Sequence, residues 1–221
     1  MTDLDFSALW VTLRLATITM VVLLIVGTPL AWWLAHTRSR LRPIIEALVA
    51  LPIVLPPTVL GFYILVALGP YGPLGRLMNF TLAFTFTGLV IASVFYSMPF
   101  VIQPLQGAFE AAGKGPLEVA WSLRASKLDA FLTVISPIAL RGYISAAVLG
   151  FAHTMGEFGV VLMVGGSIPG QTKVLSTTIF DHVETMEFAQ AHAISAFMLI
   201  FSFLVLLGVY VANRRFPIHA S

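Results

Sequence analysis

Long apolar runs alternate with short polar intervals along this chain, and that rhythm predicts its elements. The first run, about Leu9 to Ala35, exceeds the roughly 20 apolar residues that cross a bilayer core, even with Arg14 snorkelling outward near its start. A basic interval, His36 to Arg42, follows. The second run, about Ile44 to Leu68, contains Pro52, Pro56 and Pro57. Each proline lacks a donor and frees a carbonyl one turn earlier, so this helix is expected to be kinked or broken, with neighbours or water satisfying it at that depth. Turn-forming residues from Gly69 to Gly75 separate it from a third run, about Phe80 to Ile102, which ends at Gln103-Pro104. A fourth run, about Ile138 to Val164, holds Arg141 near its start and His153 and Glu157 deeper in. After the break at Gly165–Gly170, Thr172 to Val183 is too short to span and reads as a short helix at the surface or dipping partway in. The fifth run, about Ala189 to Val211, ends at Asn213-Arg214-Arg215.

One long interval between runs carries both signs of charge. Within Glu110 to Pro137, Gly115 before Pro116 predicts a helix start, because proline's fixed φ suits the first helical position. Ser126 with Asp129 three residues on has the form of a capping box and predicts a second start. Two short helices joined near Arg124-Ala125-Ser126 make an exposed knuckle that another chain can grip.

Composition narrows the class. Hydrophobic residues make up 58% and charged residues 10%, and the mean hydropathy is +0.95. This is an integral membrane composition. A net charge of +2, with the basic residues beside the apolar runs, gives no patch for nucleic acid. The absence of Cys excludes disulfides, thiolate metal sites and a cysteine nucleophile. The acidic start, Met-Thr-Asp-Leu-Asp, is unlike a signal peptide, so the first run is expected to be retained. With the N-terminus outside, Arg38, Arg40, Arg42, Lys114, Arg124, Lys127, Arg141, Arg214 and Arg215 fall on the inner side, nine against the three of Arg14, Arg76 and Lys173. The positive-inside rule favours that placement, which puts the charged interval and the C-terminus in the cytoplasm.

The charged interval resembles the EAA loop of ABC-importer permeases: Glu-Ala-Ala, three residues, Gly, nine residues, Ile, one residue, Leu-Pro. Anchored on Pro137, the pattern falls on Glu118-Val119-Ala120, Arg124, Val134 and Ser136. Arg124 stands where the pattern has Gly, which counts against a positive-φ bend there. The literal Glu110-Ala111-Ala112 is out of register with any proline. Gly156-Glu157-Phe158-Gly159, leading to Ile168-Pro169-Gly170-Gln171-Thr172, resembles the molybdate and sulfate branch of that family, as does the Leu-Pro-Ile-Val-Leu-Pro-Pro run. Val160 to Gly166 and Asp181-His182-Val183-Glu184 look most like the molybdate permeases.

The resemblance implies a single all-α transmembrane domain over residues 1–221, with a cytoplasmic coupling loop at about 107–136 between the third and fourth spans. Five spans are expected, or six if the first run or the Thr172 segment behaves differently. It further implies a bacterial inner-membrane homodimer with two cytoplasmic ATPases, which carry the ATP and magnesium, and a periplasmic oxyanion-binding protein. Glu118, Val119, Ala120, Arg124, Ala125 and Pro137 are the expected ATPase-coupling residues. Pro52, Pro56, Pro57, Gly156, Glu157 and Gly159 are candidates for the gate or path.

Chemistry within the spans leaves alternatives open. A carboxylate there is costly, so Glu157 is either bonded to neighbouring backbone or a partner subunit, or borders a gate. His153 lies one turn before it, which fits a bonded pair better than a proton relay or metal site. Ser176-Thr177-Thr178 reads as a short polar face in preference to a set of oxyanion donors. Without a G-x-x-x-x-G-K-[ST] loop the chain shows no means of hydrolysing ATP, and no catalytic constellation is visible. Two rivals remain: a secondary anion transporter or channel, which should show paired repeats or a chain of ionisable groups, and a membrane scaffold. Sulfate, tungstate and thiosulfate remain alternative cargoes.

Overall fold

The computed structural model describes residues 6–78 and 81–215, and among these the ordered elements are all helical. They are α1 (Phe6–His36), α2 (Arg42–Val54), α3 (Pro57–Leu68), α4 (Pro73–Met78), α5 (Phe86–Ala112), α6 (Gly115–Ser122) and α7 (Lys127–Ala130). A π-helical turn at Phe131–Ile135 leads to α8 (Ser136–Ile138), α9 (Leu140–Met155), α10 (Gly159–Gly165), α11 (Leu175–Glu184) and α12 (Phe188–Arg215). Four stretches are long and apolar enough to cross a membrane: Phe6–His36, Pro57–Arg76, Phe86–Ala112 and Phe188–Gly208. A fifth is the pair Lys127–Ile138 and Leu140–Met155, bent by 72°.

Proline explains two of the breaks. Pro56 and Pro57 split the second apolar run, so that α2 stops at Val54 and a new helix starts at Pro57. Pro137 cannot donate to Thr133, and the helix ahead of it loosens into the π turn, with Ser136 N donating to the Phe131 carbonyl. The 72° bend lies just beyond, between Ile138 and Leu140.

Three boundaries differ from the sequence reading. The third span does not end at Gln103-Pro104: α5 runs on to Ala112 with Pro99 and Pro104 inside it, so the loop begins at Gly113 and not near residue 107. The start at Phe80 lies outside the described residues. The fourth run is not one helix, since α9 ends at Met155 and α10 begins at Gly159.

The core is the packing of α1, α5 and α9 against one another. Gly142 lets α9 press onto α5, where a Cβ would lie 2.2 Å from the Ala108 methyl. At the end carrying α6, Leu34, Leu105, Phe109, Leu117, Ala130 and Ile135 form one buried cluster, with Trp32 edge-on to Phe109 and Phe131. At the opposite end Thr12 Oγ1 accepts from Leu175 N at 2.9 Å, tying α11 to α1. Arg14 sits over the Phe86 ring, 4.4 Å from its centroid.

Candidate functional site

The knuckle is built by two caps. Ser126 Oγ accepts from Asp129 N at 3.2 Å and starts α7. At the other side α6 closes in a Schellman turn: Ala125 N donates to the Ala120 carbonyl and Arg124 N to that of Trp121, both at 3.0 Å. Such a turn needs a left-handed residue, and Arg124 supplies it at φ 64°. The positive-φ bend that Arg was expected to disfavour is therefore present, held by two backbone bonds against a cost of about 1–2 kcal/mol.

Leu117 and Ala120 face the core, while Val119, Trp121 and Leu123 are exposed, Leu123 by 78%. Between α6 and α7 lies a cleft of about 740 Å³ whose walls include Val119, Ala120, Arg124 and Ala125. Four of the expected coupling residues thus meet in one place. Glu118 is exposed on α6 beside the cleft, and Pro137 stands apart at the bend. Behind the knuckle, Arg42 pairs with Glu46 at 2.8 Å and with Glu110 at 2.6 Å, while Gln106 donates to both carboxylates. The hydrogen bond that Arg42 donates to Glu46, with the charges of Glu46 and Glu110, holds the Arg42 pKa above its ordinary value. This network fastens the start of α2 to the last turns of α5.

The second region lies at the break between α9 and α10. Glu157 is 2% exposed. Its Oε2 accepts from Ser93 Oγ at 2.5 Å and its Oε1 from Ser97 Oγ at 2.6 Å. Ser176 Oγ donates to its backbone carbonyl. His153 Nδ1 lies 2.9 Å from Ser97 Oγ and 3.7 Å from Glu157 Oε1, so Ser97 stands between the two groups expected to pair. The His153 ring stacks on Phe100 with centroids 3.9 Å apart.

Beside this cluster is a cavity of about 480 Å³, bordered by Pro57, Gly156, Glu157 and Gly159 of the path candidates and by Thr58, Tyr96 and His153. Pro52 and Pro56 do not border it: Pro52 is buried inside α2 and Pro56 precedes α3. The approach of α3 to α10 depends on two glycines. A Cβ at Gly61 would lie 2.9 Å from Met163 Cβ, and one at Gly159 would lie 2.9 Å from Pro57 Cβ. The sequence reading missed Ser93 and Ser97. Their signal was two hydroxyls four residues apart on one face of an apolar helix. Thr177 and Thr178 bond to Val174 at the start of α11, while Ser176 bonds to the Glu157 carbonyl in the break between α9 and α10.

An all-helical bundle with an exposed two-helix knuckle and a broken, glycine-packed span defines a transport subunit of the membrane. The chain belongs to the family of binding-protein-dependent transport system inner membrane components, whose model matches residues 27–217. It is 62% identical over 216 residues to the molybdenum transport system permease protein ModB of Azotobacter vinelandii, covering 96% of this chain and 95% of that one. To a probable sulfate transport system permease protein of Helicosporidium sp. subsp. Simulium jonesii it is 31% identical, over 94% of this chain and 78% of the other. The fold matches that of a bacterial ABC transporter that imports the acidic polysaccharide alginate, with a TM-score of 0.77 at 15% identity over 96% of this chain and 79% of that one. The chain is a multi-pass membrane permease subunit of an ABC importer.

Proposed function

We propose that this subunit forms the path for molybdate in an ATP-driven importer and transmits the work of a separate cytoplasmic ATPase through α6 and α7. The observation that carries the cargo assignment is the 62% identity, over nearly the full length of both chains, to a molybdenum permease. Coupling is supported by the cleft, where Val119, Leu123 and Arg124 are left exposed among the described residues.

In this reading two copies surround a central path, each docked on one ATPase that binds ATP and magnesium, and a periplasmic protein delivers the oxyanion. The N-terminus is outside, and the knuckle and C-terminus are cytoplasmic, in keeping with the placement of the basic residues. ATP closes the ATPase pair and draws the two knuckles together. Because α6 and α7 share the buried cluster of α1, α5 and α9, they move as one body with the spans. The outer face opens to accept cargo, and hydrolysis resets the inward-open state. Such alternation requires two packings whose balance nucleotide shifts. The break at Pro56-Pro57, through Pro57, and the one at Gly156–Phe158 both adjoin the cavity and are the deformable joints.

The test is uptake of labelled molybdate by proteoliposomes containing the permease, its ATPase and its binding protein, with sulfate, tungstate and thiosulfate as competitors. ATP-dependent accumulation of molybdate is expected. ATP-independent exchange would instead identify a secondary transporter, and preferential accumulation of another oxyanion would reassign the cargo.

A further inference from the structure

We propose that the slot between the His36 end of α1 and α7 holds an anionic phospholipid, one acyl chain lying along α1 and the phosphate at Lys127. The site is separate from the cavity at the α9–α10 break and stands whatever the cargo is.

The slot has a volume of about 380 Å³ and is lined by Thr28, Pro29 and Trp32 of α1 and by Lys127, Leu128 and Phe131 beyond the knuckle. Two of these residues are polar. Thr28 Oγ1 donates to the Leu24 carbonyl at 2.5 Å, so its proton is already used within α1. Lys127 is left as the one charged group of an apolar lining. The slot also continues along the span. Val21, Ile25, Pro29 and Trp32 follow one another at intervals of four, four and three, which places them on one face of the helix. Val21 and Ile25 are 43% and 68% exposed, so a stripe of bare apolar surface on a membrane span leads into the slot. At that depth the surface meets hydrocarbon, and an acyl chain is what covers it.

Charge at the end of the stripe selects the headgroup. Trp32 and Trp33 stand near the end of α1, and indoles settle at the membrane–water interface. A lysine at that level lays its stem on apolar surface and keeps its ammonium among the headgroups. Among the described residues no carboxylate lies within ion-pair distance of Lys127, or of Arg38 and Arg40 in the loop that follows α1. Arg42, by contrast, is clasped by Glu46 and Glu110, and Asp129 on α7 borders the coupling cleft. Uncommitted cations at the end of an apolar track match a molecule with a negative head and a long hydrocarbon tail. Phe131 packs edge-on to Trp32 with centroids 5.1 Å apart. A lipid seated here therefore touches both a span and the segment that follows the knuckle.

The test uses the permease assembled with its ATPase in lipid nanodiscs, with Trp10→Phe, Trp33→Phe and Trp121→Phe so that Trp32 alone reports. The probes are phosphatidylglycerol and phosphatidylcholine brominated on their acyl chains, which quench an indole they touch. Half-maximal quenching is expected at about fivefold less phosphatidylglycerol than phosphatidylcholine, the worth of one lysine beside an anionic lipid. Lys127→Gln should abolish that preference and leave quenching by phosphatidylcholine in place. Thr28→Phe, which fills the slot, should reduce quenching by both lipids. Equal quenching by the two lipids in the parent assembly overturns the proposal. Fluorescence that neither lipid quenches also overturns it, because a second copy or the ATPase then covers the slot. Loss of the preference in inorganic phosphate at constant ionic strength would assign Lys127 to free phosphate and overturn the lipid. An assembly that keeps the preference yet accumulates no oxyanion overturns the transport reading and supports this site.

Discussion

The knuckle at α6–α7 and the cluster around Glu157 break the solvent rule in opposite directions. At the knuckle, Val119, Trp121, Leu123 and Leu128 lie exposed in a segment rich in charge. In the cluster, a carboxylate, three hydroxyls and an imidazole are gathered inside apolar helices. The first arrangement is unsatisfied within this chain, because apolar area left open gains only when another surface covers it. The second is satisfied internally, each oxygen of Glu157 having its own donor. An exposed apolar face therefore points outward to a partner, and a bonded polar core points inward to the joint it holds together.

Substitutions should separate the two regions. The largest effect is expected for Val119→Glu with Leu123→Glu, which places charge where a partner must desolvate the surface. Affinity for the ATPase should drop at least roughly a hundredfold, since each interface anchor is worth about 2 kcal/mol or more, while the melting temperature of the detergent-purified permease stays within error. A large fall in melting temperature would show that these side chains serve the fold instead.

Gly61→Leu should come next. Its Cβ meets Met163 and the Val160 backbone, at 2.9 and 3.2 Å, so α3 must part from α10. Overpacking of this kind costs about 1–3 kcal/mol, and uptake should fall with the ATPase still bound. Ser97→Ala is expected to cost about 1–3 kcal/mol by leaving Glu157 short of a donor. A variant as stable as the parent would mean that the cluster is not what joins α5 to the broken span.

The smallest effect is expected at Arg124, the single left-handed residue of the knuckle. Arg124→Gly should raise the unfolding free energy slightly, by less than about 1 kcal/mol, because relief of the positive φ is partly offset by the freer unfolded chain. Any loss of ATPase affinity in that variant measures what the guanidinium itself contributes.

Local signals carried well from sequence to structure. Gly115-Pro116 and Ser126 marked helix starts because their effects act within a turn, and Pro56-Pro57 marked a break for the same reason. What misled was tertiary. Pro104 looked like a terminator, yet α5 continues through it to Ala112. The fourth run read as one span since apolar residues flank Gly156–Phe158 on both sides, while Glu157 within the break bonds to Ser93 and Ser97 on another helix. No spacing rule within one segment reveals a partner 60 residues away. The bend at Arg124 was hidden for another reason: its cost reads off the residue type, but the two backbone bonds that hold the turn do not.

The unbroken length of α5 has a mechanical consequence. Its 27 residues make a rod of about 40 Å, with Glu110 clasped to Arg42 near one end and Ser93 and Ser97 gripping Glu157 further along. A tilt of only about 5° at the clasped end displaces the other by roughly 3 Å over that length, comparable with the width of a hydrogen bond. Small angular strokes are thus geared up into openings wide enough to break polar contacts, without any segment having to unfold.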